Sequence, residues 1–211
     1  MARLNEQLST ARFSALQAQV NPHFLFNTLN TIAVLVRDND RNGAVRIVEQ
    51  LSEVLRRTLR NLSNEVALTD ELDLVRQYLA IEQARFSDRL RADFDVGDGL
   101  SGAAVPSFAL QHLVENAVRH GIAKRAEASR VRVAARRDGS ALELTVTDDG
   151  PGIGTATVPA GHGLDNTRER LRALYGDTAS LTVTMAPGGG TVATIRVPYR
   201  EIVLESGDVA R

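Results

Sequence analysis

The sequence TDDGPGIG at residues 147–154 directly follows the alternating apolar residues Leu142, Leu144 and Val146. Such alternation predicts a β-strand with one buried face. The glycines allow a tight turn and a close approach of the backbone to a ligand. The carboxylate of Asp148, at the strand end, is suited to accept a hydrogen bond from an amino group such as that of adenine. Taken alone, the segment is also consistent with a plain surface loop.

Three further segments carry polar residues or glycines at positions suited to binding. A helix is predicted by LVENAVRHG at residues 113–121. Another helix begins with GHGL at 161–164, and its free N–H groups favour phosphate. The last strand is preceded by GGGT at 188–191. The polar face of the first helix carries His112, Asn116, Arg119 and His120, with Glu115 at its edge. Taken individually, the first segment is equally typical of an ordinary polar helix face, the second of a flexible connection, and the third of a hairpin loop.

In this order, the four segments resemble the N, G1, G2 and G3 boxes of the GHKL ATPase superfamily, whose Bergerat fold binds ATP without a P-loop lysine. The composition agrees, because Lys124 is the only lysine and lies in neither a P-loop nor a protein-kinase VAIK motif. The resemblance implies that Asn116 binds Mg²⁺ and that Asp148 recognises adenine. It further implies nucleotide-binding roles for Arg119, His120, Gly150, Gly152, Gly161, Gly163, Leu164 and Thr191, beneath a lid at residues 153–160.

The N-terminal residues 1–64 have a helical apolar period with one turn, at residues 38–43. Two such helices form an αα-hairpin, and a lone hairpin leaves an apolar face exposed. We therefore expect a homodimer whose two hairpins form a four-helix bundle. Asn21 and Pro22 are a good cap and first residue of a helix, but the family architecture introduced next implies one long helix kinked at Pro22, which we adopt.

QVNPHFLFNTLN at residues 19–30 places Gln19, His23, Asn27 and Asn30 on one helical stripe. This segment resembles the phosphoacceptor motif of LytS-type sensor histidine kinases, as do YLAIEQARF at residues 78–86 and NTRERL at 166–171. The resemblance implies that His23 is autophosphorylated from Mg·ATP and that the phosphoryl group passes to an aspartate of a response regulator.

The base that would take the proton of His23 is not evident from the acceptor segment. The next residue is Phe24, which cannot accept a proton, and Asn27 can orient the imidazole but is not basic. The hypothesis is that Glu115 orients or deprotonates His23. The alternative is that Glu115 forms a surface ion pair with Arg119.

The expected fold is an α-helical hairpin at residues 1–64, an α+β Bergerat-fold ATP-binding sandwich at 65–200, and a tail at 201–211. Within the second domain the patterns predict the following elements: helices at 69–86, 106–120 and 164–175, a strand at 90–96, a β-hairpin of 131–135 and 142–146 around Asp138-Gly139, and strands at 181–185 and 192–197.

The composition excludes several other classes of function. The 25 basic and 26 acidic residues give a net charge of -1, which disfavours nucleic-acid binding. The absence of cysteine excludes a disulfide scaffold, a thiolate zinc site and an iron–sulfur cluster. No apolar run reaches the roughly 18–20 residues of a transmembrane helix. We expect either a cytoplasmic protein or the cytoplasmic part of a membrane-anchored sensor, with its sensor domain upstream.

Three alternatives stay open from the sequence. They are a GHKL ATPase, a serine kinase of the anti-sigma kind, and a dimeric scaffold that binds ATP without transferring phosphate. The two enzymes would lack the acceptor hairpin. Acid-labile, alkali-stable phosphate on the protein would separate histidine from serine phosphorylation, and a single-turnover incubation with labelled ATP tests the scaffold.

Overall fold

The computed structural model of the protein describes residues 22–60, 63–86, 89–122, 127–152 and 162–202. The predicted helix upstream of Pro22, the lid at 153–160, and most of the tail lie outside these residues. The chain divides into two compact units. The described residues of the helical unit are 22–60 and 76–86, and those of the α+β unit are 63–75, 89–122, 127–152 and 162–202.

The helical unit contains the predicted hairpin. Helix α1 spans Pro22–Arg37 and helix α2 spans Arg41–Arg60. The turn between them is shorter than the predicted 38–43, because α2 already begins at Arg41. The carboxylate of Asp40 accepts a hydrogen bond from the backbone N–H of Gly43 at 2.8 Å, which satisfies one of the free donors at the start of α2.

Aromatic and aliphatic side chains form the core of the helical unit. Phe24 of α1 is buried, and its ring centroid lies 4.9 Å from that of Tyr78, in an aromatic contact with an interplanar angle of 35°. Ile47, Leu51 and Val54 of α2 are also buried. Tyr78 belongs to helix α3, Leu68–Phe86, whose first part lies in the α+β unit.

Part of the hairpin's apolar surface remains exposed in the single chain. The exposed side chains are Phe26, Leu29, Val34 and Val36 of α1, and Val45 and Val48 of α2. No helix within the described residues is long and apolar enough to cross a membrane.

The α+β unit is built on a five-stranded mixed sheet and a small two-stranded sheet. Its remaining elements, in chain order, are β1 Glu65–Ala67, β2 Leu90–Val96, β3 Ala104–Pro106, α4 Ala109–Ala117, a π-helical turn Val118–Ile122, β4 Ser129–Asp138, β5 Ala141–Asp148, α5 His162–Tyr175, a 3₁₀ turn Gly176–Thr178, β6 Ser180–Met185 and β7 Thr191–Pro198. The large sheet has the order β2-β4-β5-β7-β6, with β2 and β4 parallel and the other pairs antiparallel. Strands β1 and β3 pair with each other.

The core of the α+β unit lies on one face of the large sheet. Alternate side chains of the central strands are buried, among them Val131, Val133, Leu142, Leu144 and Ile195. Helix α4 contacts β4, β5 and α5, and its buried residues include Leu110, Leu113 and Val114. The apolar alternation therefore determines which face of the sheet receives the helices.

The structure confirms most predicted elements of the α+β unit and corrects three of their boundaries. Pro106 does not open the helix predicted for 106–120; it ends β3, and α4 begins only at Ala109 because Phe108 has a left-handed backbone with φ 63°. The helix ends at Ala117, and the chain continues in the π-helical turn. The β4–β5 turn consists of Gly139 and Ser140, one residue later than predicted, because Asp138 pairs with Ala141.

Candidate functional site

Asp148 lies at the centre of the candidate nucleotide site. It is the last residue of β5, it is buried, and its Oδ1 accepts a hydrogen bond from the backbone N–H of Gly150 at 2.9 Å. Thr191, the first residue of β7, pairs with it in register. Burial raises the pKa of Asp148, whereas hydrogen bonds from Gly150 and from the side chain and backbone of Thr191 lower it. The carboxylate is thus a buried acceptor held by neighbours that donate to it.

Three glycines approach Asp148 so closely that a side chain would not fit. A Cβ atom on Gly121 would lie 2.6 Å from Asp148 Oδ1, and one on Gly190 would lie 2.0 Å from the Asp148 carbonyl oxygen. A Cβ on Gly150 would lie 2.4 Å from the Cα of Gly121. Gly190 also has a φ of 91°, which disfavours other residues. These contacts bring the N, G1 and G3 segments together around one carboxylate.

The helix with the predicted metal ligand leads directly into this cluster. Asn116 is partly exposed near the end of α4, and the following π-helical turn carries Arg119 and His120. The Nε of Arg119 donates to Nε2 of His120 at 3.2 Å. Such π-turns are frequent at functional sites, and this one places Gly121 against Asp148.

The other predicted nucleotide-binding residues lie in two glycine-containing segments. Gly152 has a φ of 76°, and a Cβ on it would lie 3.1 Å from the carbonyl oxygen of Gly190. Gly163 and Leu164 belong to the first turn of α5, and Leu164 is buried. The start of α5 is therefore a helix end of the kind that favours phosphate. Gly161 lies outside the described residues.

The residues present fit a nucleotide with a bound divalent cation. A buried carboxylate acceptor suits adenine, and the amide oxygen of Asn116 is a hard ligand of the type that Mg²⁺ accepts. The described parts of the chain contain no group of three or more His, Asp and Glu residues arranged to hold a metal. A magnesium ion here would bind mainly to nucleotide phosphates and water, as is common for this ion.

A separate groove of about 650 Å³ lies beside Asp148. Its lining includes Arg130, Arg132 and Pro187 but none of the predicted residues of α4 and the π-helical turn. Arg130 pairs with Asp93 at 3.4 Å, and Arg132 pairs with Asp95 at 2.7 Å. Asp148 and Asp149 also line the groove, so its lining has four acidic and two basic side chains and does not favour the phosphates of a nucleotide.

The predicted phosphoacceptor lies on the first turn of α1. His23 is exposed, and Asn27 follows it by one helical turn. The Nδ2 of Asn27 lies 3.0 Å from Nδ1 and 3.3 Å from Nε2 of the imidazole. The two residues are therefore in hydrogen-bond contact, as predicted from their spacing.

Glu115 lies on α4, directly before Asn116, and is partly exposed. The Nε2 of Gln111 donates to its Oε1 at 2.7 Å. Gln111 is buried, so the amide is a fixed donor from within the helix. This contact fixes the direction of the carboxylate along α4, which neither sequence interpretation of Glu115 anticipated.

Sequence reasoning missed the buried Glu71 near α4 and assigned no role to His112. Glu71 of α3 is 1% exposed and accepts hydrogen bonds from the backbone N–H groups of Phe108 at 2.6 Å and Leu110 at 3.1 Å. Burial raises the pKa of Glu71 to about 7, against the lowering effect of these hydrogen bonds. His112 lies 3.0 Å, Nδ1 to Oγ1, from Thr167 of α5. The available signal for Glu71 was its position directly before Leu72, on an otherwise apolar face of α3.

Two family models match the chain. The model described as "Histidine kinase" matches residues 11–90, and the model described as "Histidine kinase-, DNA gyrase B-, and HSP90-like ATPase" matches residues 106–201. The second match covers the Asp148 site and supports ATP binding by this domain.

Curated relatives match both parts of the chain. A sensor histidine kinase, BtsS, of Escherichia coli is 38% identical over 199 residues, which is 94% of this chain and 35% of the relative. A sensor protein, LytS, of Enterococcus faecalis is 34% identical over 212 residues, or 94% of this chain and 36% of the relative. The chain thus spans about a third of the length of these relatives.

The fold is also similar to a solved structure. The histidine kinase domain of a blue-light activated histidine kinase from Erythrobacter litoralis has a TM-score of 0.51 at 18% identity, with 89% of this chain and 91% of that chain covered. This similarity confirms the expected fold class, a helical region followed by an α+β domain of the GHKL type.

Proposed function

The chain belongs to the LytS-type sensor histidine kinases, and from this premise we propose that it is the catalytic core of a two-component kinase. The core autophosphorylates His23 from Mg·ATP and passes the phosphoryl group to an aspartate of a response-regulator receiver domain. One observation carries the proposal: the same chain holds an exposed histidine in contact with Asn27 and a buried carboxylate, Asp148, among glycines. A scaffold that only binds ATP needs the second feature alone.

In the proposed nucleotide complex, Asp148 accepts a hydrogen bond from the adenine amino group. Asn116 supplies an oxygen ligand to Mg²⁺, which neutralises charge on the phosphates when it is bound. Arg119, His120 and the backbone N–H groups at the start of α5 donate to phosphate oxygens. The protein thus holds the base and the phosphates through separate segments, and the adenine contact does not depend on the metal.

The metal contact has its own test. Asn116→Ala removes the oxygen ligand, so Mg-dependent ATP binding should be abolished, whereas nucleotide binding in the presence of a chelator should stay near the parent value. Titration calorimetry with and without Mg²⁺ measures both. Unchanged affinity for Mg·ATP would remove Asn116 from the site.

In the proposed transfer step, an imidazole nitrogen of His23 forms a bond to the γ-phosphorus while the bond from that phosphorus to the β,γ-bridging oxygen breaks. ADP leaves with the electron pair of the broken bond. The Asn27 amide, 3.0 Å from Nδ1 and 3.3 Å from Nε2, orients the ring by a hydrogen bond. A neutral imidazole carries one ring proton, which a base takes up as the bond to phosphorus forms, and the remaining contribution of the protein is positioning.

We assign the role of base to Glu115. Its carboxylate is directed by the buried amide of Gln111 at 2.7 Å, and it precedes the proposed Mg²⁺ ligand in the chain. Loss of a general base usually costs about 10²–10⁴-fold in rate. Glu115→Gln should slow autophosphorylation by that order at saturating ATP and leave ATP affinity near the parent value. The exposed Glu169 of α5 provides the matched control, Glu169→Gln, which should retain the parent rate. A slowing of less than about threefold for Glu115→Gln would refute the assignment.

A second copy of the chain is the proposed partner of the hairpin. Phe26 is 67% exposed, and Leu29 and Val36 lie on the same side of α1 at helical spacing. Burial of these side chains against another hairpin forms the four-helix bundle. Phe26→Asp should therefore shift the chain from dimer to monomer in sedimentation experiments, whereas Met185→Asp, at a similarly exposed position of β6, should not. A dimer that survives Phe26→Asp and Leu29→Asp together would contradict this. We propose that this dimer is located in the cytoplasm, where receiver domains and ATP are available to it.

The decisive experiment is a single-turnover incubation with γ-labelled ATP. The parent chain should acquire label that is lost in acid and stable in alkali, as expected for phosphohistidine. His23→Gln should acquire none while it keeps the ATP affinity of the parent. Label that survives acid would indicate a serine kinase, and ATP hydrolysis without protein labelling would indicate an ATPase. Binding without either reaction would indicate a scaffold.

A further inference from the structure

Two polar contacts connect the region of α4 to α5. The Nη1 of Arg170 donates to the carbonyl oxygen of Ser107 at 2.6 Å, and Nδ1 of His112 lies 3.0 Å from Oγ1 of Thr167. From Ser107 to His112 the residue number rises, whereas the number of the contacted residue falls from Arg170 to Thr167, so the two segments run antiparallel. One turn further, this register places Asn116 beside the first turn of α5.

The start of α4 is held from outside the helix. Phe108 precedes α4 with a φ of 63° and provides no side-chain cap. The carboxylate of Glu71 takes that role by accepting hydrogen bonds from the N–H groups of Phe108 and Leu110. Of the two contacts with α5 described above, the one between His112 and Thr167 is nearer to Asn116, which follows His112 by one helical turn.

The His112–Thr167 contact is a neutral one. Burial, with a smaller contribution from the charge of Arg170, lowers the pKa of His112 to about 4, so the ring is uncharged near neutral pH. Thr167 is buried, 2% exposed, whereas His112 is partly exposed. A partly buried neutral hydrogen bond of this kind is directional, and it adds no charge next to the phosphate-binding region.

We propose that the hydrogen bond between His112 and Thr167 is a positioning contact for the nucleotide reaction. It holds the turn of α4 that carries Asn116 against the first turn of α5, so that the metal ligand and the phosphate-binding helix end keep a constant separation. The inference rests on the proposed nucleotide function. His112 and Thr167 are positioning residues, since they act through Asn116 and do not themselves reach the substrate.

The test compares Thr167→Val, which has nearly the same shape but no hydroxyl, with Thr167→Ser, which keeps the hydroxyl. Affinities for Mg·ATP and for ADP in the presence of a chelator are measured on the full chain. Thr167→Val removes the hydroxyl that contacts His112 and should weaken Mg·ATP binding by about five- to tenfold. Metal-free ADP binding, which depends on Asp148, should change less than about twofold, and Thr167→Ser should restore Mg·ATP binding.

The partner residue provides the second half of the test. His112→Phe should weaken Mg·ATP binding by a similar factor, and the double variant with Thr167→Val should be no weaker than either single variant. Parent-like Mg·ATP affinity in Thr167→Val would overturn the proposal. Equal losses for Mg·ATP and metal-free ADP would do so too, because they would indicate a general packing defect.

A readout without nucleotide separates this inference from the proposed function. Hydrogen exchange of the amides at residues 113–118 is compared in the nucleotide-free Thr167→Val and Thr167→Ser variants. Exchange at least about fivefold faster in Thr167→Val supports the contact, and equal exchange overturns it. A parent chain that binds no Mg·ATP would refute the proposed nucleotide function instead, and the exchange result would still decide whether this contact orders the turn.

Discussion

Replacement of the buried carboxylate of Glu71 by an amide should change how the stability of the α+β unit depends on pH. Glu71 is 1% exposed, and burial raises its pKa from 4.5 to about 7. Between these pH values the folded state holds a proton on Glu71 that the unfolded chain has released. The favourable contribution of Glu71 is therefore complete below pH 4.5 and is lost as the pH rises through about 7.

The magnitude follows from the two pKa values. Each pH unit in this interval corresponds to about 1.4 kcal/mol, so the parent should lose about 3 kcal/mol of the free energy of unfolding relative to Glu71→Gln between pH 4.5 and pH 8. His112 acts in the opposite direction, because burial lowers its pKa to about 4 and its contribution is lost as the pH falls from 6.5. This contribution is common to both proteins and cancels in their difference.

The assay is urea unfolding of the parent and Glu71→Gln at half-unit steps from pH 4.5 to 8. Asp70→Asn is the matched control, since Asp70 is the exposed neighbour on the same turn of α3. The parent-minus-variant difference should fall across the range for Glu71→Gln and stay level for Asp70→Asn. A difference for Glu71→Gln that varies by less than about 0.5 kcal/mol would refute the reasoning from burial.

Three further substitutions test the site and the helical unit. Asp148→Asn should weaken ATP binding and reduce the preference for ATP over GTP, since an acceptor becomes partly a donor; calorimetry with both nucleotides measures this, and an unchanged ratio would contradict it. Gly190→Ala places a Cβ 2.0 Å from the Asp148 carbonyl oxygen at a φ of 91°; a loss of more than about 3 kcal/mol in thermal unfolding is expected, and a parent-like melting temperature would be inconsistent with that contact. Phe24→Ala removes a buried ring 4.9 Å from that of Tyr78 and should destabilise the helical unit by about 3–5 kcal/mol in urea unfolding, whereas exposed Phe26→Ala should cost far less.

The long periodic elements were predictable because each shows its pattern within a few residues. The alternation in β5 and β7 and the helical period of α3 and α5 give these elements nearly the same bounds in the sequence and in the structure. The strands β1 and β3 were not predicted. Each has three residues, and their pairing of Glu65 with Pro106 joins segments about forty residues apart in the chain. No local pattern carries that information.

The candidate site divides in the same way. Asp148, Gly150, Gly152, Asn116 and Thr191 were found from motifs, because a strand end, a glycine turn and a helix face are visible in neighbouring residues. The way in which these segments lie against each other could not be found from motifs. The π-helical turn that brings Gly121 to Asp148 and the left-handed Phe108 depend on contacts between distant segments.

The sequence by itself determined the types of element, the order of the motifs and the chemistry available at each, because those depend on side-chain type and local spacing. Only the tertiary structure decided which polar groups from distant segments meet. The bonds of Glu71 to the start of α4 and of His112 to Thr167 join residues 37 to 55 positions apart in the chain. Packing of α3, α4 and α5 in the α+β unit creates these pairs. A buried polar side chain must find a partner, but which partner it finds depends on where the fold places the neighbouring backbone.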